Sequence, residues 1–109
     1  MSLKTSFIGL LALAYCTLQP VLCFAAEKDT AGQAIAAGKT VFEDNCSSCH
    51  GAHGTEGGAG PSLKNLKARR SGAAIAAWIK NPAPPMPKMY PSAIGDTDIK
   101  HLVIYLQSL

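Results

Sequence analysis

Apolar residues recur at helical spacing in three stretches of the chain, and no stretch alternates in the manner of a β-strand. The first stretch, residues 27–45, predicts one amphipathic helix that Asp29 or Thr30 can cap. Gly38 lies inside it, where glycine costs about 1 kcal/mol relative to alanine. We expect a second helix to cross there, pressed close to the backbone. A glycine that is merely tolerated is the alternative.

Two further helices are predicted towards the C-terminus. Residues 72–80 form a short amphipathic segment, and Ser71, which directly precedes it, is a residue type that commonly caps helices. Its buried face is predicted to consist of Ile75, Trp78 and Ile79. The last helix begins near residues 95–97 and continues to the end of the chain. Its apolar stripe consists of Ile99, Leu102, Val103 and Leu106. The fold class is therefore all-α, with three to four helices.

Two long segments between the helices lack any regular pattern. Residues 51–60 include five glycines, which allow the backbone to fold back closely around a rigid object. Residues 82–91 include five prolines and predict an extended strap with few backbone hydrogen bonds. This strap carries Met86 and Met89, whose flexible thioether side chains can fill apolar gaps or bind a metal.

The N-terminal residues have the pattern of a secretory signal peptide. Lys4 supplies a positive charge, residues 7–15 are apolar, and small residues precede a cleavage site after Ala25. An uncleaved membrane anchor is the alternative, and the Gln-Pro pair at residues 19–20 disfavours it because it interrupts the apolar run. We expect a signal peptide over residues 1–25 and a periplasmic location.

The mature domain, residues 26–109, retains two of the four cysteines, Cys46 and Cys49. A domain this small buries little core, and in an oxidising compartment it usually depends on several disulfides. Something other than disulfides must therefore add stability. The formal net charge of the whole chain is +3, and it falls by one when Lys4 is removed. A charge this small argues against a nucleic-acid partner.

The segment Cys46-Ser47-Ser48-Cys49-His50 is a C-x-x-C-H motif, the attachment signature of a covalent c-type haem. Each thiol can add to one vinyl group of the porphyrin, and the histidine brings a neutral imidazole nitrogen, a strong ligand of haem iron. A buried porphyrin would also supply missing core, because apolar burial contributes roughly 25 cal/mol per Å². Pro61 offers a backbone carbonyl suited to accept a hydrogen bond from the other ring nitrogen of an axial histidine.

The order of these motifs resembles that of the monohaem class I cytochromes c, in their short bacterial periplasmic form. The resemblance is carried by Gly38-Lys39-x-x-Phe42, the C-x-x-C-H motif, Gly60-Pro61-x-Leu63, the Met-Pro strap and a final helix ending in Tyr105-Leu106. It covers essentially the whole mature chain. It implies a cytochrome c fold, in which the helices wrap around one covalently bound haem c. It also implies that the first and last helices cross near Gly38 and Tyr105.

The resemblance assigns roles to individual residues of this chain. Cys46 and Cys49 would be the thioether donors, His50 the proximal iron ligand and Pro61 the carbonyl partner of that histidine. The distal ligand would be a methionine of the strap. Most relatives offer one obvious methionine there, whereas this chain offers two.

Met86 is the predicted distal ligand. It is followed by Pro87, which matches the family's Met-Pro pattern, whereas Met89 is followed by Tyr90. The alternative role for Met89 is an apolar contact over the haem. The predicted iron ligands are therefore His50 and Met86.

The remaining histidines and the tryptophan are candidates of lower weight. His53 follows His50 too closely to reach the other face of a haem, and we expect it to be exposed. His101 lies off the apolar stripe of the last helix and is expected in solvent. Trp78 can either donate to a haem propionate or pack against the haem edge, and the sequence leaves both open.

A group of basic residues also has two interpretations. Its members are Lys64, Lys67, Arg69, Arg70, Lys80 and Lys88. They can form a rim that steers an acidic redox partner, because complementary charge raises association rates more than affinity. They can equally form an ordinary solvated face.

The predicted function is single-electron transfer, not enzymatic catalysis. Ligation by histidine and methionine fills both axial positions and leaves no open site for substrate chemistry, and the thioether raises the reduction potential. The expected partners are redox proteins (a dehydrogenase, a cytochrome complex or a terminal oxidase) that meet a monomer in brief contacts, without a membrane span in the mature form. The alternatives are a haem peroxidase or gas-binding protein with a labile distal ligand, a thiol–disulfide oxidoreductase, and a zinc site.

Overall fold

The computed structural model describes the backbone of residues 19–109 and the side chains of residues 30–109. Over this range the secondary structure is helical and contains no strand, which confirms the all-α prediction. The predicted signal peptide lies outside the described residues except for the backbone of residues 19–25. Cleavage after Ala25 therefore stays a prediction.

Five helices occur in the described part of the chain. They are α1 (Gln19–Asn45), α2 (Ser47–His50), α3 (Leu66–Arg69), α4 (Gly72–Lys80) and α5 (Asp96–Leu106). Three of them correspond to the three helical stretches of the sequence. The other two, α2 and α3, are single turns of four residues each. A single turn is too short to show a hydrophobic period, so the pattern did not indicate them.

The first helix begins at Gln19, well before the predicted start at residue 27. Asp29 and Thr30 lie inside the helix, so the prediction that either of them caps it is wrong. Pro20 occupies the first turn, where proline is tolerated because its missing N–H would have no intrahelical partner. The chain forms two compact units, Met1–Ala31 and Gly32–Leu109.

The second unit contains a small apolar core. Phe42 and Leu102 are its largest fully buried side chains. The other buried apolar residues are Leu66, Ile75, Ile79, Ile94, Ile99, Tyr105 and Leu106. Trp78, predicted to be buried with Ile75 and Ile79, is instead 44% exposed. It lines a cavity that is described below. The helical period placed Trp78 correctly on the side of the helix that carries Ile75 and Ile79, but it could not show that this part of the side is left uncovered by protein atoms.

The ends of the helices are stabilised by the residues that the sequence favours there. Ser71 accepts a hydrogen bond from the backbone N of Ala74 at 3.2 Å, which confirms it as the cap of α4. At the start of α5, Asp98 accepts one from the backbone N of Gly95 at 2.8 Å. Acidic side chains in a first turn also interact favourably with the positive end of the helix dipole.

Helices α1 and α5 cross at Gly38, as predicted. A Cβ atom at this position would overlap the backbone carbonyl of His101 and lie 2.8 Å from the Cβ of Tyr105. One helical turn further along α1, the ring of Phe42 packs against the ring of Tyr105 with their centroids 5.5 Å apart. Gly38 is therefore required for close approach of the two backbones.

No helix among the described residues is long and apolar enough to cross a membrane.

Gly38→Ala is expected to lower the free energy of unfolding by about 1–3 kcal/mol, because the added methyl group forces the two helices apart. Gly32→Ala is the matched control in the same helix, since no atom lies within 4 Å of a Cβ built there. That control should leave stability unchanged or raise it by up to about 1 kcal/mol. Denaturant unfolding of the purified variants measures both values. Equal stability of the two variants would contradict the close crossing.

Candidate functional site

The Gly32–Leu109 unit contains a largely apolar cavity of about 770 Å³. This volume lies within the range of small-molecule and cofactor sites, about 300–1,000 Å³. Its walls come from the C-x-x-C-H motif, the Gly60–Leu63 segment, α4 and the proline strap. The residues that were considered as attachment points, ligands or ligand partners of a haem all line it: Cys46, Cys49, His50, Pro61, Met86 and Met89.

The C-x-x-C-H motif is placed by the end of α1. The backbone N of Cys46 donates to the carbonyl of Phe42 at 2.8 Å, and the backbone N of His50 donates to the carbonyl of Cys46 at 3.0 Å. The chain thus passes from α1 into the single turn α2 with almost no interruption. Cys49 and His50 belong to this turn and Cys46 directly precedes it, so the two thiols and the imidazole line the cavity from one short segment.

Both cysteines of the described residues are free thiols. Burial raises the pKa of the Cys46 thiol to about 11, and the neighbouring Cys49 adds to the effect because two adjacent negative charges repel each other. The thiol of Cys46 is therefore uncharged at neutral pH. A thioether has no acidic proton and stays uncharged, so burial does not disfavour it. The environment of Cys46 therefore suits an alkylated cysteine.

The orientation of the His50 ring is fixed by two contacts. Its Nδ1 lies 2.8 Å from the carbonyl oxygen of Pro61. A carbonyl can only accept, so Nδ1 donates in this bond, and the tautomer of the neutral ring that makes it has Nε2 free to bind a metal. On the other side, a Cβ at Gly60 would lie only 2.8 Å from Cε1 of the same ring. Only glycine allows the loop to pass this close.

The glycine loop folds back on the motif through its backbone. The N–H of Gly60 donates to the carbonyl of Cys49 at 2.8 Å, and the N–H of Gly57 donates to the carbonyl of His50 at 3.1 Å. Gly57 has a φ of +75°, a conformation that side chains other than glycine rarely adopt. The glycine loop therefore folds, in part, around His50 itself.

One contact joins this loop to the C-terminal helix. The hydroxyl of Tyr105 donates a hydrogen bond to the backbone carbonyl of His53 at 2.8 Å. Tyr105 is buried, and this burial raises the pKa of its hydroxyl, with smaller contributions from Glu43 and Glu56. Tyr105 was predicted to lie at the helix crossing, but its bond to the loop was not predicted, since Tyr105 and His53 are far apart in the chain.

The His53 side chain is 63% exposed, as predicted. Its Nδ1 lies 2.8 Å from a carboxylate oxygen of Glu56, and its backbone N–H donates to the same carboxylate at 3.1 Å. Hydrogen bonding from His53 lowers the pKa of Glu56 to about 2, so this carboxylate is charged at all ordinary pH values. His101 is half-buried on α5, where its carbonyl contacts the α1 backbone.

The two methionines of the strap differ in their surroundings. Both line the cavity and both are half-buried. Met89 packs against the apolar core together with its neighbour Tyr90, whereas Met86 is not part of this packing. Met89 is thus occupied by contacts with protein atoms. Met86 has fewer such contacts and is the freer of the two to bind something in the cavity.

Basic residues border the mouth of the cavity. Arg69 and Arg70 line it, and the Arg70 guanidinium lies 5.6 Å from the centroid of the Trp78 ring in a cation–π contact. Arg69 donates to the carbonyl of Lys64 at 2.8 Å. Lys80 is instead paired with Asp96, so it does not extend this rim as a free charge.

The donor set of the cavity fits a covalent haem. It combines two free thiols on one helical turn, an imidazole with Nδ1 already committed, a glycine surface against the ring, and thioethers on the strap. The other chemistries weighed above find less support. In the described residues no group of three or more His, Cys, Asp or Glu side chains is arranged to hold a metal ion. The βαβ unit expected around a redox-active cysteine pair does not occur in that range either.

Residues 33–106 match a protein family described as cytochrome c oxidase, cbb3-type, subunit III. No curated protein and no solved structure matches the chain. The matched range covers well over half of the sequence, including the C-x-x-C-H motif, the glycine loop, the strap and both crossing helices. The chain therefore belongs to this family of class I c-type cytochrome domains, which bind haem and carry electrons.

Proposed function

We propose that this chain is a periplasmic single-electron carrier with one haem c, attached through Cys46 and Cys49. The observation that carries the proposal is the cavity that gathers both thiols, the oriented imidazole and two methionines around a volume of about 770 Å³. The haem would supply the one-electron chemistry, and the protein would hold it, orient its ligands and keep water from the iron.

His50 is proposed as the proximal iron ligand. Its hydrogen bond to Pro61 fixes the tautomer and increases the electron density that Nε2 can donate. Because the Pro61 acceptor is a backbone atom, the bond does not depend on a side chain that could rotate away. The contact with Gly60 then limits the rotation of the ring about its own axis.

Met86 is proposed as the distal ligand, and Met89 as an apolar contact next to it. The packing of Met89 against the core supports this division. With a histidine and a methionine both bound, the iron would be six-coordinate and would have no open position for a substrate. A thioether ligand in an apolar cavity favours the reduced state, so the protein would work at high potential.

The proposed partners are redox proteins. The family description names an oxidase of the cbb3 type, which makes a terminal oxidase the first candidate for an electron acceptor. A dehydrogenase or a cytochrome complex would be the donor. Arg69 and Arg70 at the cavity mouth offer positive charge to an acidic partner, and a monomer meeting it in brief contacts would suit rapid turnover. The periplasmic location rests on the signal-like residues 1–25 alone.

Covalent attachment predicts a specific loss when the thiols are removed. The double variant Cys46→Ala/Cys49→Ala should show no haem-stained band after denaturing electrophoresis, whereas the unmodified protein should show one. Ser47→Ala/Ser48→Ala changes the two residues between the cysteines and should keep the band. A haem band that persists without either cysteine would rule out thioether attachment at this motif.

The distal assignment is tested by the weak far-red absorption band of the ferric protein, which reports a methionine bound to haem iron. Met86→Ala should abolish this band, and Met89→Ala should retain it because that side chain only fills space. The opposite result would transfer the ligand role to Met89. Strong carbon monoxide binding by the unmodified ferrous protein would instead indicate a labile distal ligand and favour a gas-binding protein or peroxidase.

The contact between Gly60 and the imidazole predicts an electronic effect. Gly60→Ala should push the His50 ring away from the Pro61 carbonyl, because the new methyl group would lie 2.8 Å from Cε1. A weaker hydrogen bond makes the imidazole a poorer donor, so the reduction potential should rise. Ala52→Ser, at an exposed position of the same loop that is not part of the cavity wall, is the control and should leave the potential unchanged. A redox titration followed by visible spectra measures both, and identical potentials would contradict the role of Gly60.

A further inference from the structure

Three side chains meet where α4, α5 and the strap come together. Lys80 Nζ lies 2.6 Å from Asp96 Oδ1. The same ammonium group lies 4.8 Å from the centroid of the Tyr90 ring, within the range of a cation–π contact. Lys80 is the last residue of α4 and Asp96 is the first residue of α5. The ion pair therefore joins the two ends of the segment that contains the strap, residues 81–95.

The strap has few other polar attachments. Among the described residues, the backbone hydrogen bonds of its interior run from Met86 to Ala83 and from residues 93–94 to Met89. These bonds stay within the segment and do not attach it to either helix. The prolines lack N–H groups and cannot add more. The position of the strap over the cavity therefore depends on its side chains.

Those side chains hold the two halves of the strap unequally. Met89, Tyr90 and Ile94 pack on or belong to the apolar core, so the second half is anchored. Met86 is absent from that packing. Closing a flexible segment costs conformational entropy, and a contact that fixes both ends and one interior residue offsets part of that cost.

We propose that Lys80, through Asp96 and Tyr90, is a positioning residue that holds the strap closed so that its methionine stays bound to the haem iron. The inference rests on the proposed haem function and deepens it, since it names the residues that control how firmly the distal ligand is held. Each charge also occupies the helix end that favours it, a cation at the C-terminus of α4 and an anion at the N-terminus of α5.

Both groups are charged at neutral pH. The hydrogen bond to Asp96 raises the pKa of Lys80, and the hydrogen bond from Lys80 lowers the pKa of Asp96. Asp96 and Lys80 are solvent-accessible, so their contribution to the global free energy of unfolding should be small. Because the contact is absent from the open strap and from the unfolded chain alike, its removal lowers the free energies of both processes by the same small amount, and the rate of a reaction that requires opening reports that amount directly.

The test measures how fast cyanide binds to the ferric holoprotein, because cyanide reaches the iron only when the methionine leaves it. Lys80→Met keeps the aliphatic stem and removes the charge, and it should speed cyanide binding by about three- to tenfold. Lys39→Met is the matched control. It breaks the other exposed lysine–carboxylate pair, Lys39 with Glu43 at 3.6 Å on α1, and should leave the rate unchanged.

A second pair of variants separates positioning from general destabilisation. Tyr90→Leu removes the cation–π contact with Lys80 and a side-chain hydrogen bond with Asp96, so it should also speed cyanide binding. The acceleration in Lys80→Met/Tyr90→Leu should be less than the sum of the two single effects, because each single variant already loses the Lys80–Tyr90 contact. The midpoint of denaturant unfolding is recorded for each protein. A rate that rises in Lys80→Met and Tyr90→Leu but not in Lys39→Met, although each loses a comparable exposed contact, supports the inference.

Three results would overturn the inference. The first is an unchanged cyanide rate in Lys80→Met, and the second is an equal acceleration in the Lys39→Met control. The third is a cyanide rate that follows the unfolding midpoint across all the variants, the Lys39→Met control included. Failure of the proposed function has a different signature, namely the absence of the far-red ferric band from the unmodified protein, and that result removes the inference with it.

Discussion

The hydrogen bond between His50 Nδ1 and the Pro61 carbonyl is the interaction on which the site depends. An imidazole can serve as a metal ligand only when one nitrogen is free of its proton, and this bond selects which one. The bond requires the loop after the motif to return within hydrogen-bond distance of the ring. Glycine at position 60 makes that return possible, because any side chain there would collide with the imidazole. The glycine at position 60 follows from this one requirement.

The cavity is large for so small a unit, because few of the unit's apolar side chains are buried among protein atoms. Its buried residues form a thin layer, and Trp78, which the helical pattern assigns to the core, borders the cavity with much of its surface uncovered. An apolar cofactor filling the space would bury that surface and contribute at roughly 25 cal/mol per Å². Protein core and cofactor would then be parts of one hydrophobic cluster. The stability of the fold and the retention of the cofactor are for that reason difficult to separate physically.

The sequence predicted the features that depend on neighbouring residues. The motif, the cap at Ser71 and the crossing at Gly38 each follow from local spacing or from a residue type with one plausible use. The predicted start of α1 was wrong because Asp29 and Thr30, although they are residue types that can cap a helix, lie inside a helix that begins earlier. The Tyr105–His53 bond and the Lys80–Asp96 pair join residues distant in the chain, and no periodicity indicates them. The difference in packing between Met86 and Met89 was also not predictable, since only the fold shows which one touches the core.

Tyr105 takes part in two regions of the molecule. Its ring closes the crossing of α1 and α5 against Phe42, and its hydroxyl holds a carbonyl of the glycine loop. A fluctuation that lifts α5 from α1 therefore also releases the loop beside the histidine. Local opening of the two regions becomes a single cooperative event. The last helix, which carries none of the proposed ligands, thereby sets an upper limit on how long the environment of His50 persists between openings.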